Sequence, residues 1–185
     1  MSFVEKFGIS TQRQLTDEEL AELNGGAVYG GETNHTGGNG FSEGTPETVS
    51  SSALPHGLDQ TLGMTFTAVG PDRVEGRIVI DQRHVQPWGV TNGGVYCAIG
   101  ESIASIAGYI AAGGQATVMG VNNNTDFFRP SRPGDILRAI ARPVNLGRTF
   151  QVWEVLIANE QTEKLVARTN LRTSVIPQSS TSQQG

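Results

Sequence analysis

The feature that most constrains the fold is one long apolar segment, residues 95–112, with the sequence VYCAIGESIASIAGYIAA. Its side chains are apolar or small on nearly every side, and a helix without a polar face must be buried inside the protein. Glu101, Ser102 and Ser105 interrupt the run, which makes the segment a poor membrane span. The sequence therefore predicts one helix in the centre of the fold.

Six segments around this helix are predicted to be strands. Two precede it, and the second alternates apolar and polar residues as RIVID. Four follow it, separated by turn sequences such as RPSRPG and NLG. The predicted strands are Thr61–Val69, Val74–Asp81, Ala116–Phe127, Asp135–Val144, Phe150–Asn159 and Lys164–Ile176. One helix among so many strands must be covered by the sheet, which indicates an α+β fold.

The compact domain is predicted to cover residues 54–176. We expect residues 1–53 to form an N-terminal extension, with a short helix and a linker rich in Gly and Ser, and residues 177–185 to form a flexible tail. The short helix ends at Gly25 and Gly26. The alternative for this Gly pair is the cleavage site of a double-glycine leader peptide.

Charge and cysteine content exclude several classes of protein. The formal net charge of −5 argues against a nucleic-acid binder, whose surface would be basic. The single cysteine, Cys97, excludes an intramolecular disulfide, and the three His lie too far apart in sequence to form a metal site. The N-terminus has no uninterrupted apolar stretch, so we expect no secretory signal and a cytoplasmic location. We expect no nucleic-acid, membrane or metal partner.

Glu101 is the main candidate for a chemical role. An unpaired carboxylate is costly to bury, so its place in the middle of a buried helix favours function over packing. The alternative is an ion pair with an Arg, or exposure at the helix edge. Ser105 lies one turn later on the same face, where simple helix packing is the alternative. Gly93 and Gly94 open the helix, and free N–H groups there can hold a developing oxyanion, although Asn-Gly-Gly is also an ordinary turn.

These residues belong to a longer motif that resembles the central helix of hotdog-fold acyl-CoA thioesterases. More narrowly, it is similar to the 4-hydroxybenzoyl-CoA thioesterase and PaaI-like group. That group's motif is Gln-Pro-x-Gly-x-x-His-Gly-Gly, then a carboxylate seven residues after the second Gly, then Ser or Thr four further on. The stretch HVQPWGVTNGGVYCAIGESIAS keeps every spacing. The resemblance continues through NNNTDFFRPSRPGD and LGRTFQVWEV and covers residues 58–176.

The resemblance implies a hotdog fold, in which an antiparallel sheet wraps around one long central helix. It also implies hydrolysis of an acyl-CoA or aryl-CoA thioester. The Gly93 N–H would polarise the thioester carbonyl, and Glu101 would act as nucleophile or general base. Gln86 and Ser105 would position the water or the carboxylate. The family needs no cofactor beyond the CoA of its substrate, and it works as homodimers or homotetramers with the site at the subunit interface.

Asn92 stands where the family motif has His. A side-chain amide can still donate a hydrogen bond to a carbonyl oxygen. It cannot transfer a proton at neutral pH. This departure keeps a second hypothesis open, a hotdog module that binds acyl-CoA or an acyl carrier protein without hydrolysing it.

Other side chains are candidates for substrate binding. Arg can meet the CoA phosphates and aromatic rings can line an acyl pocket, with a solvated surface charge and core packing as the alternatives. The candidates are Gly94, Trp88, Tyr96, Phe128, Arg129 and Arg148, with Arg132 and Arg168 less favoured. Cys97 and His84 are interpreted as structural.

Overall fold

The computed structural model describes residues 57–70, 72–114 and 116–177. The predicted N-terminal extension with its Gly-Gly pair, and the tail beyond residue 177, lie outside the described residues. Within them the chain forms two α-helices and six strands. These are α1 (Leu58–Leu62), β1 (Thr65–Gly70), β2 (Arg73–Val79), α2 (Gly93–Ala111), β3 (Ala116–Phe127), β4 (Ile136–Leu146), β5 (Phe150–Asn159) and β6 (Leu165–Pro177).

The six strands form one antiparallel sheet in the order β1-β2-β4-β5-β6-β3. Helix α2 packs against the inner face of this sheet and contacts every strand. Inward-facing side chains of the central strands, such as Trp153 and Val155 on β5, are fully buried beneath it. The predicted α+β architecture, an antiparallel sheet around one long helix, is confirmed.

Helix α2 is the core element that the sequence predicted. Ten of its 19 residues are buried, and Ile103 and Ala104 are inaccessible to solvent. By length and hydropathy alone, α2 is a candidate for a membrane span. The core helix of a globular fold passes the same test, and here half of that stretch is buried inside the protein.

Two glycines allow α2 to approach the sheet closely. A Cβ atom on Gly100 would overlap the hydroxyl of Thr169 on β6 and lie 2.6 Å from its Cβ. A Cβ atom on Gly76 of β2 would overlap the end of Ile103. Because these positions carry no side chain, helix and sheet backbones come close enough for polar groups of β3 and β6 to reach α2.

The predicted strand Thr61–Val69 is wrong at its start, because its first two residues belong to α1. Gly63 ends that helix in the left-handed conformation, with φ of 70°, and the strand begins at Thr65. Asp59 in α1 accepts a hydrogen bond of 2.5 Å from Ser102 of α2. Burial raises the pKa of Asp59, and the hydrogen bond from Ser102 opposes this shift.

The outer face of the sheet carries ion pairs. Glu75 of β2 is only 2% exposed and pairs with Arg73 on its own strand and Arg138 on β4. Burial and the neighbouring Arg138 and Arg142 lower the pKa of Arg73 below its usual value. The two faces of the sheet are therefore chemically different, with the main apolar core on the side of α2.

We expect Gly100→Ala to destabilise the protein, although Ala is the better helix former by about 1 kcal/mol. The new methyl group would press on the β-branched Thr169, and overpacking of a core costs typically 1–3 kcal/mol. Urea unfolding measures the difference. A variant as stable as the wild type would show that α2 can move away from β6 at no cost.

Candidate active site

The start of α2 is fixed by a set of backbone and side-chain hydrogen bonds. Asn92 is the N-cap residue, and its Oδ1 accepts a hydrogen bond of 2.8 Å from the Gly94 N–H. The Asn92 N–H donates to the carbonyl of His84, and Thr91 N–H donates to that of Ser131. The first residue of α2, Gly93, therefore has a defined position.

His84 belongs to a single 3₁₀ turn, Gln82–His84, that precedes this loop. Its Nδ1 accepts from the Asp81 N–H at 2.9 Å, so its Nε2 donates to the carbonyl of Leu62 at 2.9 Å. Hydrogen bonds from the Arg83 side chain and backbone lower the pKa of the exposed Asp81 carboxyl to about 2. The ring has no contact with the cavity described below.

A buried polar cluster ties the loop between β3 and β4 to α2. The Ser131 hydroxyl lies 2.6 Å from the Thr91 hydroxyl and 2.8 Å from the Tyr96 hydroxyl, and the Ser131 N–H donates to the Tyr96 oxygen. All three side chains are buried. These hydrogen bonds hold the Tyr96 hydroxyl inside the protein, so only the aromatic ring can face a cavity.

A cavity of about 360 Å³ opens at the start of α2. It brings together five of the residues predicted from the sequence, and it also contains Phe127, which the sequence analysis did not single out. The predicted residues that line it are Gln86, Gly93, Tyr96, Phe128 and Arg129. Its walls therefore combine a helix N-terminus, three aromatic rings and one cation.

Phe127 packs directly over the start of the helix. A Cβ atom on Gly93 would lie 2.8 Å from its ring, and the ring centroid lies 5.7 Å from that of Tyr96. Arg129 donates a hydrogen bond of 2.8 Å to the carbonyl of Leu165 and forms no ion pair with a described carboxylate. Its charge is therefore available to a ligand at the mouth of the cavity.

Other predicted residues lie away from this cavity. Trp88 is 81% exposed on the loop before α2. Arg148 lies in the turn between β4 and β5, and the Gly94 N–H is occupied by the Asn92 cap. Arg168 faces Asp126 and Glu154 on the outer side of the sheet.

Glu101 lies further along α2 and is half-buried. Its Oε2 accepts a hydrogen bond of 3.0 Å from the side-chain amide of Asn123 on β3. A Cβ atom on Gly120, also on β3, would overlap its Oε1. Among the described residues Glu101 has no arginine partner, so the alternative of a structural ion pair does not apply, whereas its partial exposure agrees with the alternative of a place at the helix edge. Ser105 lies one turn later and forms no hydrogen bond with it.

Gly93 and Glu101 are separated along the helix axis. Eight residues at 1.5 Å each place them about 12 Å apart. A single carbonyl group at the Gly93 N–H is therefore too far from Glu101 of the same chain to react with it. Each chain therefore presents two separate candidate half-sites, a cavity at the start of α2 and a carboxylate two turns later.

The described residues contain no group of three or more His, Cys, Asp or Glu side chains that could hold a metal ion. The chemistry that the half-sites offer is that of a carboxylate and of hydrogen-bond donors. Backbone N–H groups at a helix start can stabilise a developing oxyanion, and a carboxylate can act as base or nucleophile.

Comparison with known proteins adds to this geometry. Residues 89–166 match the family model of the thioesterase superfamily. The 1,4-dihydroxy-2-naphthoyl-CoA hydrolase of Escherichia coli is 33% identical over 115 residues, which cover 62% of this chain and 83% of that protein. The proofreading thioesterase EntH of Cronobacter turicensis is 34% identical over 104 residues, covering 56% and 75%. The solved structure of a Haemophilus influenzae thioesterase has a TM-score of 0.60 and 39% identity, covering 64% of this chain and 82% of that one.

The helix cap provides a stability test of the site. Loss of an N-cap side chain typically costs about 1 kcal/mol, so we expect Asn92→Ala to be less stable than the wild type by that amount. Asn92→Asp keeps the oxygen that accepts from Gly94 and adds a negative charge at the helix N-terminus, so it should be at least as stable as the wild type. Thermal unfolding of the three proteins checks the order. Equal stability of all three would mean that this cap does not hold the start of α2.

Proposed function

This chain belongs to the thioesterase superfamily, and we propose that it hydrolyses acyl-CoA or aryl-CoA thioesters to the free acid and CoA, using Glu101 as its essential carboxylate. The observation that carries the proposal is the pair of half-sites on α2. One combines the Gly93 N–H with an aromatic-lined cavity, and the other presents a carboxylate without an arginine partner. Thioester hydrolysis needs both a stabilised carbonyl oxygen and a base or nucleophile.

In the proposed reaction the thioester oxygen accepts from the Gly93 N–H, and the amide of Asn92 is a second donor. The Asn92 oxygen is engaged by the Gly94 N–H, so its NH₂ group can point towards the substrate. Glu101 either removes a proton from water or attacks the carbonyl carbon itself. In the first route the C–O bond to water forms, the C–S bond breaks, and the proton taken from water passes to the CoA sulfur. In the second route the C–O bond to Glu101 forms, the CoA thiolate leaves and is protonated by solvent, and water then hydrolyses the mixed anhydride to the free acid and the Glu101 carboxylate. Gln86 and Ser105 are proposed to position the water or the carboxylate.

We further propose that the active site forms between two copies of the chain. A single chain places Gly93 and Glu101 about 12 Å apart along α2, so a single thioester can reach both only if each comes from a different subunit. Strand β3 carries Asn123, the hydrogen-bond partner of Glu101, and among the described strands it pairs only with β6. The side chains of Met119 and Val121 on β3 are about half exposed. A homodimer, alone or paired into a homotetramer, would cover this edge.

The side chains that line the cavity favour a substrate with an aromatic or apolar acyl group. Tyr96, Phe127 and Phe128 provide three rings within one cavity, and aromatic rings favour stacked or edge-to-face contact with another ring. The relative from Escherichia coli is named for an aryl-CoA substrate. Arg129, whose guanidinium forms no ion pair with a described carboxylate, is proposed to bind a CoA phosphate. Trp88 and Arg148, which lie outside the cavity of one chain, remain proposed contacts for the rest of the substrate.

The second candidate function is binding of acyl-CoA or an acyl carrier protein without hydrolysis. Asn92 favours it, because an amide at the family's His position cannot move a proton. Thiol release from benzoyl-, phenylacetyl-, hexanoyl- and palmitoyl-CoA separates the two functions. A binding module would hold one of these thioesters, measured by calorimetry, and release no thiol.

Glu101→Gln tests the chemical role directly. The change is nearly isosteric and removes the charge and the basicity, so we expect kcat to fall by about 100-fold or more with the unfolding midpoint little changed. Turnover is followed by thiol release with the best thioester of the panel. Wild-type turnover in this variant would contradict the proposed mechanism.

Co-expression of two inactive variants tests whether the site is shared. Gly93→Ala places a methyl group against Phe127 and the carbonyl position, and Glu101→Gln removes the carboxylate. In a shared site, half of randomly formed dimers are mixed and each has one intact site, so about one quarter of wild-type activity should return. Each variant alone is the control. No gain over the two controls would place the whole site within one chain.

A further inference from the structure

Three polar side chains of the sheet form a continuous hydrogen-bonded row that ends at Glu101. The Thr169 hydroxyl on β6 lies 2.8 Å from the Thr125 hydroxyl on β3. Thr125 donates to Oδ1 of Asn123 at 2.7 Å, and the Asn123 amide donates to Glu101 at 3.0 Å. The row starts at a fully buried residue, Thr169, and ends at the half-buried carboxylate.

The direction of every hydrogen bond in this row is determined by the available protons. The Asn123 NH₂ group donates to Glu101 and also to the backbone carbonyl of Cys97 at 3.1 Å. Rotating the amide by 180° would place its oxygen against these two acceptors, so one orientation alone is acceptable. Thr125 donates its single hydroxyl proton to Asn123, and the Thr169 hydroxyl must therefore donate to Thr125.

We propose that Asn123 is the positioning residue of the catalytic carboxylate, oriented for this role by Thr125 and Thr169. The inference rests on the proposed function of Glu101 and assigns to Asn123 no contact with the substrate. Its amide holds Oε2 and leaves Oε1, which no described side chain binds, to act on the water or the thioester carbon. The carboxylate thus reacts through one defined oxygen.

The physical need for such a residue follows from the Glu side chain and its surroundings. Glu has three rotatable bonds, and a half-buried carboxylate without a partner would occupy several positions. Gly120 leaves room for the carboxylate but does not hold it. Because Asn123 binds Glu101 and the helix backbone at Cys97 with the same amide, it fixes the carboxylate relative to α2 itself.

The hydrogen-bonded row also explains why residue 100 of α2 is a glycine. Thr169 reaches its place beside α2 only because Gly100, the residue before Glu101, has no side chain. The glycine and the threonine together bring the hydroxyl row to the helix at the turn where the carboxylate lies. Ser105, predicted to position Glu101, forms no hydrogen bond with it in this structure, so Asn123 takes the positioning role within one chain.

The first test removes the amide. Asn123→Leu keeps the approximate size of the side chain and Asn123→Asp keeps its shape, but neither presents an N–H donor at neutral pH. We expect kcat for the best thioester of the panel to fall about 10- to 100-fold, the range expected for a misplaced reacting group, with KM within about twofold. Asn123→Asp should be the slower variant, because it brings a second negative charge to Glu101.

Asn124→Asp is the matched control. It makes the same chemical change one residue further along β3, where the strand alternation places the side chain on the outer face, opposite Asn170 of β6. We expect wild-type kcat and KM from it. A drop equal to that of Asn123→Asp would attribute the effect to the strand and overturn the proposal.

The second test alters Thr125, whose hydroxyl donates to the Asn123 side chain. Thr125→Val removes the hydroxyl that donates to Oδ1 of Asn123, so the amide is held less firmly against Glu101, and we expect kcat to fall about three- to tenfold. Thr125→Ser restores the hydroxyl and should recover at least half of the lost kcat. A purely structural threonine would give the reverse order, since Val preserves the β-branched shape and Ser does not.

The controls keep the two proposals separate. If Glu101→Gln is inactive while both Asn123 variants retain wild-type kcat, the positioning role is overturned and the proposed function stands. If Glu101→Gln retains wild-type kcat, the proposed function fails and the positioning role fails with it. Unfolding midpoints are measured for every variant, and a kcat loss in Asn123→Asp without a matching loss of stability supports the proposal.

Discussion

The close packing of α2 on the inner face of one sheet is the constraint on which the rest of the structure depends. A 19-residue helix that is apolar on almost every side must be covered, and a single six-stranded sheet does so by contacting it with every strand. The contact is close because Gly100 and Gly76 carry no side chain where Thr169 and Ile103 approach. Loss of this closeness would separate the polar groups of β3 from the helix that carries Glu101.

A carboxylate in such a helix is the feature that packing alone does not explain. Glu101 is accommodated by partial exposure, by the missing Cβ atom of Gly120, and by a hydrogen bond from Asn123. These solutions satisfy its charge without an arginine. A paired arginine stabilises a carboxylate as an anion and lowers its basicity, so the neutral amide partner is consistent with the role proposed for Glu101.

The helix, the sheet and the family motif could be predicted from the sequence because they depend on local patterns. Strands β3 and β5 have the predicted bounds, and two residues of the motif, Gly93 and Gln86, line one cavity. The missed elements depend on long-range contacts. Helix α1 is five residues long with no buried residue, so it has no apolar period to detect. Phe127 is the last residue of a predicted strand, and nothing in the sequence indicates its contact with Gly93.

Asn123 and Gly120 were missed for a specific reason. They are three residues apart, and in a regular strand residues at odd spacing face opposite sides of the sheet. Both nonetheless face Glu101, because the pairing of β3 with β6 shifts between Gly120 and Asn122. One extra residue in the strand changes the alternation, and Thr125 follows Asn123 on the inner face. No count of alternating residues in the sequence reveals such a shift.

The length of α2 between Gly93 and Glu101 also has a consequence for an assembled protein. If two copies are related by a twofold axis, and each site combines Gly93 of one copy with Glu101 of the other, the rigid helix sets the distance between the two reaction centres of the dimer. The separation then varies neither with loop length nor with the acyl group bound. Insertion of one residue into α2 between them would rotate Glu101 by about 100° and move it away from β3. Enlarging the cavity around Phe127 and Phe128 would leave that spacing intact, so substrate range can diverge while the geometry of catalysis stays the same.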